Sequence, residues 1–142
     1  MSMRRLHLAA IALLALGLLA PSAGARESKR PAPGTGVEMP ILVAPMIVDD
    51  RLHAYAYISS TIVASSPADA VAIRLKTPFI RDAFVRDVNG KPIVSPDQPD
   101  KLDRDALRAR LLADTRRVVG DEAVADILFT QVQISPMAPT GQ

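Results

Sequence analysis

The 142-residue chain has no cysteine, no tryptophan, two histidines and only 4% aromatic residues. Without cysteine there is no disulfide framework, no thiolate metal site, no cysteine nucleophile and no lipid-bearing cysteine anchor. The histidines offer little more, because His7 falls in the N-terminal apolar run and leaves His53 alone. No GxxxxGK[ST] or GxGxxG pattern occurs, and Ser59, Ser60, Ser65 and Ser66 lack the G-x-S-x-G context of an activated serine. An excess of one charge is missing too. The 17 basic and 15 acidic residues give +2, and Arg4 and Arg5 account for that surplus, so Arg26–Gln142 is balanced. With no basic block interleaved with aromatics, nucleic acid is not an expected partner.

One long apolar run is present. Arg4 and Arg5 precede an uncharged Leu/Ala-rich stretch, Leu6–Ala20, followed by Pro21 and then Ala23-Gly24-Ala25, the small-residue pattern accepted by signal peptidase. Residues 1–25 therefore read as an export signal, with a periplasmic destination. The competing fate is an uncleaved inner-membrane anchor, since Leu6–Ala25 is just long enough to span a bilayer. Pro21 and Gly24 shorten the strongly apolar part and favour cleavage. The twin arginines lack the aromatic usual in the twin-arginine export signal.

Beyond the leader, residues 26–38 mix Pro31, Pro33, Gly34 and Gly36 with charged residues, and the expectation is a flexible linker. A domain over residues 39–135 follows, with a polar tail at 136–142. Ile41–Val48 is apolar and β-branched and reads as a strand, with Pro45 at an edge or bulge. Asp49-Asp50 makes a turn. Leu52–Ala64 alternates, with Leu52, Ala54, Ala56, Ile58 and Ile62 on one face and His53, Tyr55, Tyr57, Ser59 and Thr61 on the other, which predicts an antiparallel, half-buried strand. Ser66-Pro67-Ala68-Asp69 opens a helix to about Arg86, kinked or broken at Pro78, with Val71, Leu75, Phe79 and Ala83 as its buried stripe. Asp87–Pro99 reads as loop. Asp103 caps a second helix, Arg104–Val119, buried through Leu107, Leu111, Thr115 and Val118 and stopped by Gly120. Val124–Ile134 is a last strand. The order β-β-α-α-β predicts an α+β fold, a mixed or antiparallel sheet of about three strands with two helices on one face.

The titratable residues converge on no chemistry. His53 sits on the outer face of a strand, where a lone histidine reads as a surface residue. Asp49, Asp50 and His53 lack a second histidine for a metal site. Asp97, Asp100, Asp103 and Asp105 miss the calcium-loop spacing and enclose Lys101 and Arg104, while Asp87-Val88-Asn89-Gly90 lacks a closing glutamate. No catalytic, cofactor-binding or metal site is expected, and no cofactor. What remains is contact chemistry. Arg74, Arg81 and Arg86 on the first helix and Arg108 on the second are candidate partner contacts, as are Tyr55 and Tyr57 on the sheet.

Thr77-Pro78-Phe79-Ile80-Arg81-Asp82-Ala83-Phe84 resembles the P-x-(I/V)-R-(D/S)-A element of the flagellar basal-body-associated FliL family. Met39–Val48 and Leu52–Ala64 stand where that family has its first two strands. Leu107-Arg108-Ala109-Arg110-Leu111-Leu112 matches its later helix, and Val124–Val132 its closing v-x-d-v-x-f-t-x-f strand. The resemblance covers about Met39–Ile134. It implies a membrane-proximal periplasmic scaffold, similar in fold to stomatin/prohibitin-type domains, that self-associates side by side and supports the flagellar stators without catalysis. The N-terminus departs from the family, which keeps an uncleaved membrane helix. The alternative is a soluble periplasmic peptide- or ligand-binding module without a flagellar role, using the Tyr55/Tyr57 face or the loop between the two helices.

Overall fold

Alternating burial along one long strand organises the architecture. The computed structural model describes residues 30–138, so the leader expected over residues 1–25 lies outside the described part. Strands β1 (Gly36–Glu38), β2 (Leu42–Val48) and β3 (Arg51–Ala64) come first, followed by helix α1 (Pro67–Gly90). Strands β4 (Val94–Ser95) and β5 (Gln98–Leu102), helix α2 (Arg104–Val119), a short 3-10 turn (Asp121–Ala123) and strand β6 (Val124–Pro136) complete it. Strands β1, β2, β3 and β6 form a four-stranded antiparallel sheet, and β4 with β5 a separate two-stranded hairpin. The fold is α+β.

β3 is the spine. β2 pairs along its first half, from Val48 opposite Arg51 to Leu42 opposite Ile58, and β1 continues along the same side from Glu38 opposite Thr61 to Gly36 opposite Val63. The Met39 amide donates to the Ser60 carbonyl at 2.9 Å between the two stretches. β6 runs along the whole opposite side, from Val124 beside Ala64 to Pro136 beside Ala54. Ala54, Ala56, Ile58 and Ile62 are buried beneath the helices, as the alternation predicts, while Leu52 at the strand's start is exposed. The β2–β3 hairpin closes on Asp49 (φ 49°) and Asp50 (φ 59°), two positive φ values in succession, the backbone of a type I′ turn.

Three expectations are corrected. The flexible linker does not extend to residue 38: Thr35 and Val37 are buried, and the Ala64 amide donates to the Thr35 carbonyl at 2.9 Å, so the sheet begins before Met39. The expected loop Asp87–Pro99 is partly structured, because α1 continues to Gly90 and the β4–β5 hairpin uses the proline-rich stretch. Likewise β6 runs on to Pro136, past the expected tail boundary.

α1 is one helix through Pro78. Proline cannot donate to the Arg74 carbonyl, but Pro78 lies on the exposed side, where water can solvate that oxygen. Ser66 caps the helix by accepting from the Asp69 amide at 3.1 Å. The larger correction concerns which face is buried. The core side carries Ala70, Ile73, Ile80, Phe84 and Val88. Val71, Leu75 and Phe79, expected inside, are 55%, 76% and 66% exposed. α2 follows its sequence signals closely: Asp103 accepts from the Ala106 amide at 3.1 Å, Leu107, Leu111 and Thr115 are buried, and Gly120 (φ 103°) ends the helix.

Candidate functional site

Two helix faces, one sheet face and one ionic cluster are where this molecule can make contacts or do chemistry. α1 presents Val71, Leu75 and Phe79 on successive turns of its outer face, with Pro78 beside them. Arg81 is exposed along one flank of this stripe. Arg86 pairs with Asp82 at 2.5 Å on the surface near its end, a link of small energetic weight. Arg74, another expected contact, instead turns back and donates to the Gly36 carbonyl at 3.3 Å, fastening β1 to α1. The motif singled out in the sequence thus divides: Ile80 enters the core, while Phe79, Arg81 and Asp82 face outward.

Arg108 is not a free contact residue. Its Nη2 donates to both carboxylate oxygens of Asp126, and its Nε donates to the Ile127 carbonyl at 2.8 Å. This guanidinium joins α2 to the outer edge of β6, which makes it part of the scaffold. Nothing in the spacing of Arg108 and Asp126 announces the pair, because they lie on different elements.

The open face of the sheet carries Tyr55 and Tyr57, as the alternation of β3 predicts. Tyr57 lies opposite Val43 on one side and Gln133 on the other. Ile41, Tyr57, Ser59, Gln131 and Gln133 line a shallow depression there. The exposed Ile41 and Val43 add apolar surface to it. The lining of this depression offers stacking and amide hydrogen bonds and contains no charged side chain.

The fourth feature was not anticipated. Asp87, at the end of α1, is buried with its side chain only 4% exposed, and accepts from Arg110 Nε at 2.9 Å and from Lys91 Nζ at 3.1 Å. Arg110 Nη1 also donates to the Pro92 carbonyl at 2.9 Å. One turn further along α2 the buried Asp114 accepts from Arg117 Nη1 at 2.6 Å. This cluster ties the end of α1, the following loop and the middle of α2 together. Sequence periodicity assigns Asp87 to a loop, so the helix extension to Gly90 is what brings it inside.

The remaining candidates do not converge. His53 is exposed at the start of β3, Asp49 and Asp50 form the hairpin turn, and Asp103 is engaged as a helix cap. Among the described residues, no group of three or more His, Asp or Glu side chains is placed to hold a metal ion, and no helix is long and apolar enough to cross a membrane. No family model matches the chain, and no curated protein matches it.

Proposed function

We propose that this chain is an exported accessory protein that works by contact, a FliL-like periplasmic scaffold of the bacterial flagellar motor with a stomatin/prohibitin-like domain. The observation that carries the proposal is the outer face of α1. There the segment resembling the family element, Pro78–Ala83, sets Phe79 in line with Val71 and Leu75 as a solvent-exposed apolar stripe. Large apolar side chains in a row at the surface mark an interaction site, since an isolated helix face gains nothing from holding them in water. In this account α1 contacts a stator or basal-body protein, Arg81 sets the orientation of that contact, and the protein changes how many stators stay engaged. No bond-making step is assigned to it.

The test is a clean deletion in the native host. Filaments should still be built, while swimming speed and soft-agar spreading fall. Normal motility at low and high load, with a tagged protein spread evenly around the cell, would refute the motor role. A second account has one specific observation in its favour, the depression on the open sheet face around Tyr57, Gln131 and Gln133. It assigns the protein to binding a peptide or small ligand in the same compartment, and normal motility of the deletion strain would leave it standing.

A further inference from the structure

The start of β3 carries one residue more than its partner strand. Met46 stands opposite Ala54 and the next residue of β2, Ile47, stands opposite Leu52, so His53 has no opposite number on β2. The extra residue makes a β-bulge and reverses the alternation of β3 at that point. Leu52 falls opposite the exposed Ile47 and is itself exposed. His53, which strict alternation sets on the open face beside Tyr55, instead lines a cavity with Met46 and Ala54 on the helix side of the sheet. β6 fixes the bulge from the other edge, where the Met137 amide donates to the His53 carbonyl at 2.8 Å. Bulges of this kind re-aim a side chain beside functional sites.

The cavity measures about 300 Å³, at the lower end of the range for small-molecule sites. It lies where the end of β2, the start of β3 and the end of β6 meet β5. Met46, Val48, Ala54 and Ile134 supply apolar walls from the main sheet, and Pro99 and Pro136 close its sides. The two proline rings fix φ and carry no N–H, so this part of the wall is stiff and offers no backbone donor. His53 and Asp100 complete the lining, and both are exposed, which places them at the mouth. Among the described residues neither side chain enters an ion pair. No lysine or arginine lines the cavity, so nothing in its wall neutralises the Asp100 carboxylate.

We propose that this cavity binds a small organic amine, an apolar body of single-ring size carrying one ammonium group. An apolar chamber with a few convergent polar groups at one end is the usual form of a small-molecule site. The body fills the space between Met46, Ala54 and Ile134. The ammonium has three N–H donors, and the mouth holds two acceptors for them, the Asp100 carboxylate and an imidazole nitrogen of His53, with water left for the third. A carboxylate ligand would meet Asp100 as a like charge, and a wholly apolar one would strip water from that carboxylate without replacing it. The site is separate from the depression around Tyr57, because Ala54 and Ile134 face the helices while Tyr57 and Gln133 face away from them. It depends neither on that depression nor on a motor role.

The test titrates the isotope-labelled protein, expressed as the full chain, with phenethylamine, phenethyl alcohol and phenylacetate, three probes of similar shape that differ in the polar head. Phenethylamine is expected to give saturable amide NMR shifts at Val48, Ala54, Asp100 and Ile134, binding several-fold tighter than the alcohol and more so than phenylacetate. Asp100→Lys, at an exposed position, should keep the melting temperature and invert the order of amine and carboxylate. His53→Phe keeps a ring at the bulge and should weaken the amine several-fold. Ile134→Ser should weaken all three probes alike. Equal affinity for the three heads, or an unchanged order in Asp100→Lys, would overturn the assignment of an amine. Shifts confined to Tyr57, Gln131 and Gln133 would move binding to the open face and overturn the site, as would no saturable shift with any probe at millimolar concentration. Shifts of the same cavity residues on dilution of the protein alone would make a second copy the occupant and overturn the small-molecule reading.

Discussion

Adjacent residues on α1 should differ sharply in their contribution to stability. Ile80 is fully buried and Phe79 is 66% exposed, so truncating each to alanine asks which way the helix is rolled. Ile80→Ala removes three carbon groups from the core at about 0.8 kcal/mol each, or roughly 2.4 kcal/mol, before any cavity left behind is counted. Incomplete collapse of the site adds to this, so about 3 kcal/mol is expected, within the range of about 2–5 kcal/mol seen for such truncations. For a folded unit of this size, that is a drop in melting temperature of roughly 12–24 °C. Phe79→Ala should stay within about 0.5 kcal/mol, since little of its ring is buried. Urea unfolding of both variants measures the difference, provided the slope against denaturant is unchanged and the midpoints alone move. A Phe79→Ala cost equal to or above that of Ile80→Ala would refute the helix orientation and with it the exposed stripe.

Two other perturbations probe the frame. Asp87→Ala should destabilise by about 2 kcal/mol, because it strips the half-buried Arg110 of its carboxylate partner, and calorimetric melting checks this; an unchanged melting temperature would mean the ionic cluster is not formed. Replacing Asp49-Asp50 by Asn-Gly should stabilise by about 1 kcal/mol, because those residues adopt positive φ at lower cost than aspartate; a lowered urea midpoint would argue against the type I′ turn.

Much of the fold was legible in local signals. The alternation of β3 placed Tyr55 and Tyr57 on the open face, and Asp103 and Gly120 bounded α2 to the residue. The face of α1 was not legible, and the reason is physical. Ala70, Ile73, Ile80, Phe84 and Val88 make one apolar stripe at helical spacing, while Val71, Leu75, Phe79 and Ala83 make another. Periodicity detects a stripe but cannot rank two, and only the sheet selects between them. The β4–β5 hairpin escaped notice because Pro96 and Pro99 argue against strands, yet a two-stranded surface ribbon has free edges where proline is tolerated. Arg108 looked like a surface contact because its partner, Asp126, is brought beside it by the packing of α2 on β6.

The central claim is that the protein works through contacts made by the outer face of α1. Leu75→Ser with Phe79→Ser removes apolar side chains that are 76% and 66% exposed, so the variant should fold and melt like the native protein. The most direct measurement is swimming speed under load in a deletion strain complemented with either the native chain or this double variant, at matched protein levels. The account predicts that the native chain restores speed and the folded variant does not. Full restoration by the variant would contradict it.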